Sequence, residues 1–168
     1  MKPATCNLMI LFFSLSIVSC HSPGVSVFEK INIPGGDFRG VSIRSSPEEV
    51  KQKEAIPPKN EETDYLFYEI SLNSDNEYFT VGYSFNEKGV YEILLDVNLE
   101  KPENALQLFQ ELNENFRLRF GVPVQEDETT IVWTFKSERS EDVEVTLSDE
   151  SDNDNAGKIS VSFYDLAY

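Results

Sequence analysis

Apolar and polar residues alternate in three runs, Tyr65 to Leu72, Tyr78 to Phe85 and Val90 to Leu99. In the second run Phe79, Val81, Tyr83 and Phe85 share one face, and in the third Tyr91, Ile93, Leu95, Val97 and Leu99 do. A period of two predicts half-buried antiparallel strands, with "NEKG" as the turn between the second and third. Ahead of them stands "SSPEEVKQKEAIPP". There Ser46 can cap a helix, Pro47 suits its first turn, Glu49 lies at capping-box spacing, and Pro57 with Pro58 stops it. Further on, Ala105, Phe109, Leu112, Phe116 and Phe120 recur at steps of three and four, which builds one apolar stripe on a long helix. Gly121 and Pro123 end it, and strands follow at Thr130 to Phe135, Val143 to Leu147 and Lys158 to Tyr164.

The two stretches match without a gap at an interval of 66 residues. Val50 falls on Phe116, Lys51 on Arg117, Pro57 on Pro123, Glu62 on Glu128 and Phe67 on Trp133. Phe79 falls on Val145, Val81 on Leu147, Ile93 on Ile159, Leu95 on Val161 and Val97 on Phe163. One helix with three strands has a small core, and two such units joined would bury more than either alone. The expectation is an α+β domain over residues 37–168, made of two tandem α-β-β-β units (about 43–99 and 105–164). They would form an antiparallel sheet with helices on one face, with Trp133 and the inward aromatic residues in the core.

The N-terminus has a different pattern. "LMILFFSLSIV", Leu8 to Val18, is an apolar run of eleven residues behind Lys2, whereas a bilayer-crossing helix needs about 20. A basic start, a short apolar centre and small residues at the exit mark residues 1–19 as a secretory signal. Residues 20–36, rich in Ser, Pro and Gly, read as a tether whose alternating piece "VSVFEKINI" could add one edge strand. Without the leader, 13 basic and 30 acidic residues leave a formal charge of −17. Such a surface is repelled by nucleic acid and by anionic headgroups, so no nucleic-acid partner is expected.

Ile17, Val18, Ser19 and Cys20 resemble the end of a bacterial lipoprotein signal. The resemblance implies that Cys20 becomes the first mature residue and carries lipid. Cys6 would leave with the leader, so the mature chain would hold no disulfide. Several acyl chains, at roughly 0.8 kcal/mol per buried methylene, would give a lasting membrane anchor. By the same family analogy, His21 rather than an acidic residue after Cys20 favours the outer membrane over the inner.

Ile43 and Arg44, Ser46 four residues before Val50, Pro57 seven after it, and the hairpin "YSFNEKGVY" resemble the small outer-membrane-assembly lipoproteins of the small-protein-A type. Phe120, Gly121 and Pro123 repeat the helix end. The tandem plan is similar in topology to the proteinaceous β-lactamase inhibitors. These resemblances imply a non-enzymatic envelope protein that works through protein–protein contact, with envelope protein assembly as the natural task.

Inventory limits the chemistry. The single histidine, His21, adjoins Cys20 on the tether, and no free thiol would remain, so no catalytic residue and no cofactor is expected. In "DESDNDNAGK", Asp152, Asp154 and Gly157 occupy positions one, three and six of a calcium loop, but Ala156 and Phe163 stand at five and twelve. Residues 149–157 therefore read as a polar hairpin loop and not as a metal site, with weak calcium binding or a small-ligand module as the alternative function.

Overall fold

A computed structural model describes residues 26–72, 74, 76–152 and 155–168. The alternating runs become strands of one eight-stranded, wholly antiparallel sheet. In chain order the elements are α1 (Val27–Ile31), α2 (Pro47–Glu54), β1 (Asn60–Glu61), β2 (Tyr65–Ser71), β3 (Tyr78–Asn86) and β4 (Gly89–Leu99). After them come α3 (Pro102–Phe120), β5 (Gln125–Glu126), β6 (Thr130–Phe135), β7 (Val143–Asp149) and β8 (Gly157–Asp165). The strand order is β1-β2-β3-β4-β8-β7-β6-β5, so the two longest meanders meet at the centre through β4 and β8. The chain is thus an α+β protein, as its alternation predicts.

Local chemistry accounts for most boundaries. Ser46 and Glu49 form the expected capping box on α2, with Pro47 in the first turn. The β3–β4 turn is the expected hairpin: Asn86 accepts a bond from Lys88 N, and Gly89 adopts a φ of 107°. The stripe on α3 is buried through Ala105, Phe109, Leu112 and Phe116, joined by Leu108, and packs on β4, β6, β7 and β8. Gly157 lets α3 come this close, since a Cβ there would lie 2.6 Å from that of Ala105 and 2.7 Å from the Lys101 carbonyl. On α2, Val50 and Glu54 are buried and Glu54 meets Tyr83, so both helices cover the same sheet face.

Three expectations need correction. The piece read as tether or edge strand forms α1, with its own capping box between Ser26 and Glu29, and it buries Ile31 against α3. Its signal was the Ser-x-x-Glu spacing also present at Ser46. Second, Tyr91 does not share a face with Ile93. Ser84 pairs with Glu92 while Phe85 pairs with Val90, and this bulge turns Val90 inward and Tyr91 outward. Third, Phe67 and Trp133 lie on opposite faces: Trp133 is fully buried, whereas Phe67 is half-exposed on the other side. The interval of 66 is out of step by one residue through this strand, which inverts the face.

Candidate interaction face

Helices cover one side of the sheet; the other side is open among the described residues. Its composition follows from the ladders. One row across the strands reads Tyr65, Ser84, Glu92, Tyr164, Glu144 and Thr134; the next reads Phe67, Gly82, Leu94, Ser162, Thr146 and Val132. A third reads Glu69, Thr80, Asp96, Ser160, Ser148 and Thr130. The half made by β6, β7 and β8 is therefore mostly Ser and Thr, broken by Tyr164, Glu144 and Val132, and the half made by β2, β3 and β4 is aromatic and acidic.

Gly82 shapes the aromatic half. A Cβ at this position would collide with the Tyr65 hydroxyl, so its absence lets the Tyr65 ring lie across β3. That ring stacks on Phe67 with centroids 6.2 Å apart. Burial and then the charges of Glu92, Asp96 and Glu62 raise the Tyr65 pKa above its usual value, which places its hydroxyl among carboxylates. Beside it Leu94 is 39 % exposed. The bulge adds a second aromatic group: Tyr91 stacks on Tyr168 at 4.4 Å and meets Tyr164 edge-on at 6.1 Å.

The carboxylates on this face are incompletely neutralised. Glu92 accepts a bond from Ser84 Oγ at 3.1 Å. Asp96 is 3.9 Å from Lys158 Nζ, whose shorter contact, 2.6 Å, goes to Glu150. Aromatic rings, an exposed leucine and unsatisfied charge can accommodate a protein surface, since tyrosine is enriched where partners meet.

The covered side is held by buried polar bonds. Arg39 donates to both Glu54 oxygens, at 2.9 and 2.7 Å, and to the carbonyls of Lys30 and Ile31; Tyr83 also donates to Glu54. These bonds tie α1, the loop before α2, α2 itself and β3. Arg44 pairs with Asp165 at 2.9 Å, and Ser140 donates to the same carboxylate. Asp165 is held below its usual pKa, because the bonds from Ser140 and Arg44 outweigh its burial.

A polar cavity of about 410 Å³ lies between this loop, α2 and residues 138–139. Asp37 lines it, but its carboxylate accepts the Ile43 amide at 2.8 Å, so it serves to fix the loop. Burial raises the Asp37 pKa, partly opposed by that bond. Arg139 bridges to Glu49 across the cavity mouth.

The sequence-level candidates are not brought together. Cys20, His21 and Asp154 lie outside the described residues. Asp152 forms a bridge with Ala156 inside the β7–β8 loop, and among the described residues no group of three potential ligands could hold a metal ion. Also among them, no helix is long and apolar enough to cross a membrane. Contact through the sheet face was open to sequence reading, but the rings on that face were not, because the 66-residue match set Phe67 beside the inward Trp133 and the alternation set Tyr91 inward. Gly82 within an otherwise aromatic strand was the available sign.

Among the described residues, the fold and face together define an α+β protein with an antiparallel sheet, sheathed by helices on one side and bare on the other. Comparison with family models, with curated proteins and with solved structures finds no match.

Proposed function

We propose that this chain is a non-enzymatic, lipid-anchored protein of the bacterial envelope that binds another envelope protein through its open sheet face. The observation that carries the reading is the bare face itself, with Tyr65, Phe67, Tyr91, Leu94 and Tyr164 standing where a solvated sheet would carry short polar residues. Anchoring rests on the lipoprotein-like sequence ending at Cys20. Six residue steps from Cys20 to Ser26 reach at most roughly 20 Å, so the body would stay close to the bilayer. Confinement to that layer raises the effective concentration of a membrane-bound partner. The outer membrane is the favoured location, by family analogy at His21.

The same reading takes the chain as two tandem units. Supporting it, Phe79↔Val97 and Val81↔Leu95 in the first meander recur as Val145↔Phe163 and Leu147↔Val161 in the second, 66 residues on. Leu95, moreover, pairs with Val161, its own counterpart at that interval, as a pseudo-twofold axis through β4 and β8 requires. In the outer hairpins the interval falls to 65: Lys59 N to Phe67 O matches Val124 N to Val132 O. One proline at 123 against two at 57 and 58 accounts for the missing residue.

Crosslinking in intact envelopes at native abundance, followed by recovery of the chain, tests the proposal. One dominant envelope partner is expected, and Leu94→Asp or Cys20→Ala should each deplete it. Recovery of no partner, or of the same partners with Leu94→Asp in a folded chain, refutes the reading. Metabolic labelling with a fatty-acid analogue, compared with Cys20→Ala, tests the anchor separately.

A further inference from the structure

We infer that the acidic, aromatic half of the open face is a seat for an arginine side chain presented by the partner. The inference rests on the sheet-face reading and specifies its chemistry. On β4, Glu92, Leu94 and Asp96 are successive outward positions, so an exposed apolar side chain stands between two carboxylates. Across β3 the Tyr65 ring lies over Gly82, with Phe67 stacked behind it. Toward β8, Leu94 and Asp96 face the short side chains of Ser162 and Ser160, while Glu92 faces Tyr164. The result is an exposed apolar side chain between two carboxylates, with aromatic rings on the β3 side and at the Glu92 end.

That combination suits a guanidinium. Its planar group stacks on aromatic rings, is weakly hydrated, and donates in a fork that fits carboxylates, whereas an ammonium is compact and strongly hydrated. The methylene stem would lie on Leu94. The described cations leave room for it: Lys158 makes only a long ion pair with Asp96, at 3.9 Å, its shorter one being to Glu150 at 2.6 Å, and Lys59 pairs with Glu69 at the sheet margin. The formal charge of the chain, −16 with its leader, adds a long-range attraction for a basic surface.

The test is an NMR titration of the full chain in detergent micelles with the blocked peptide acetyl-Gly-Arg-Gly-amide. Lysine and neutral citrulline versions serve as controls. Amide shifts are expected at Gly82, Glu92, Leu94 and Asp96, together with the Tyr65 ring, at millimolar peptide. The lysine peptide should bind at least about threefold more weakly, and citrulline not at all. Glu92→Gln with Asp96→Asn should weaken arginine binding by about tenfold or more, while Glu144→Gln on the same face should leave it unchanged. Equal shifts with arginine and lysine, shifts scattered over the acidic surface, or binding indifferent to the double substitution would each overturn the seat. A partner recovered by crosslinking that contacts the face without a basic residue would overturn the seat alone. A working seat in a chain that recovers no partner would instead refute the proposed function.

Discussion

Replacing Glu54 by leucine should reveal how much of the fold depends on one buried ion pair. Arg39 and Glu54 have side chains only 3 % and 1 % exposed, and the pair closes with two bonds of 2.9 and 2.7 Å. Without the carboxylate, the guanidinium keeps its bonds to the Lys30 and Ile31 carbonyls but remains a buried, uncompensated charge, and the Tyr83 hydroxyl loses its acceptor. Removing one member of such a pair costs about 3–5 kcal/mol, against a total stability of roughly 5–15 kcal/mol for a domain. Urea denaturation should register that loss, and the melting temperature should fall by roughly 8–16 °C. The decisive comparison is the double variant Arg39→Met/Glu54→Leu, which removes both charges and should recover at least about 2 kcal/mol relative to Glu54→Leu alone. A double variant as unstable as the sum of its singles would show that the two residues act independently, and the argument from buried charge would fail.

Ala55 caps α2 in the left-handed region at φ 56°, where a Cβ is disfavoured, so Ala55→Gly should stabilise the chain by about 0.5–1 kcal/mol in the same assay. Gly89→Ala should do the reverse: φ is 107° and the new Cβ would lie 2.6 Å from the Arg44 carbonyl, giving a loss of about 2 kcal/mol or more, checked by thermal melting. The Glu49 carboxylate, bonded by Arg139 and by the Ser46 amide, is lowered from 4.5 to about 2. A depressed folded-state pKa means stabilisation that is present above 4.5 and lost as pH falls toward 2. NMR titration should therefore find the Glu49 midpoint near 2 in the native chain and closer to 4.5 in Arg139→Gln; equal midpoints would refute the pairing.

Legibility followed sequence distance. The capping box of α2, the β3–β4 hairpin and the stripe of α3 each depend on residues within a turn or two of one another, so spacing alone was enough to place them. The helix α1 was equally local but was masked by an accidental alternation in "VSVFEKINI"; its Ser26 and Glu29 spacing was the better guide. Tyr91 was misplaced because a single-residue bulge is set by the partner strand and leaves no mark in the alternation itself.

By itself the sequence determined that this is an acidic α+β chain, and it determined where the main helices and strands begin and stop. Those features arise from period, capping and charge, which act over short separations or as sums. Only the tertiary structure decided that β4 and β8 meet at the centre of one sheet and that Arg39 pairs with Glu54 15 positions away. It alone turned Tyr65 over Gly82, leaving a bare face of rings and carboxylates. Each of these contacts joins groups that are remote along the chain, and their free energy exists only once the sheet has closed.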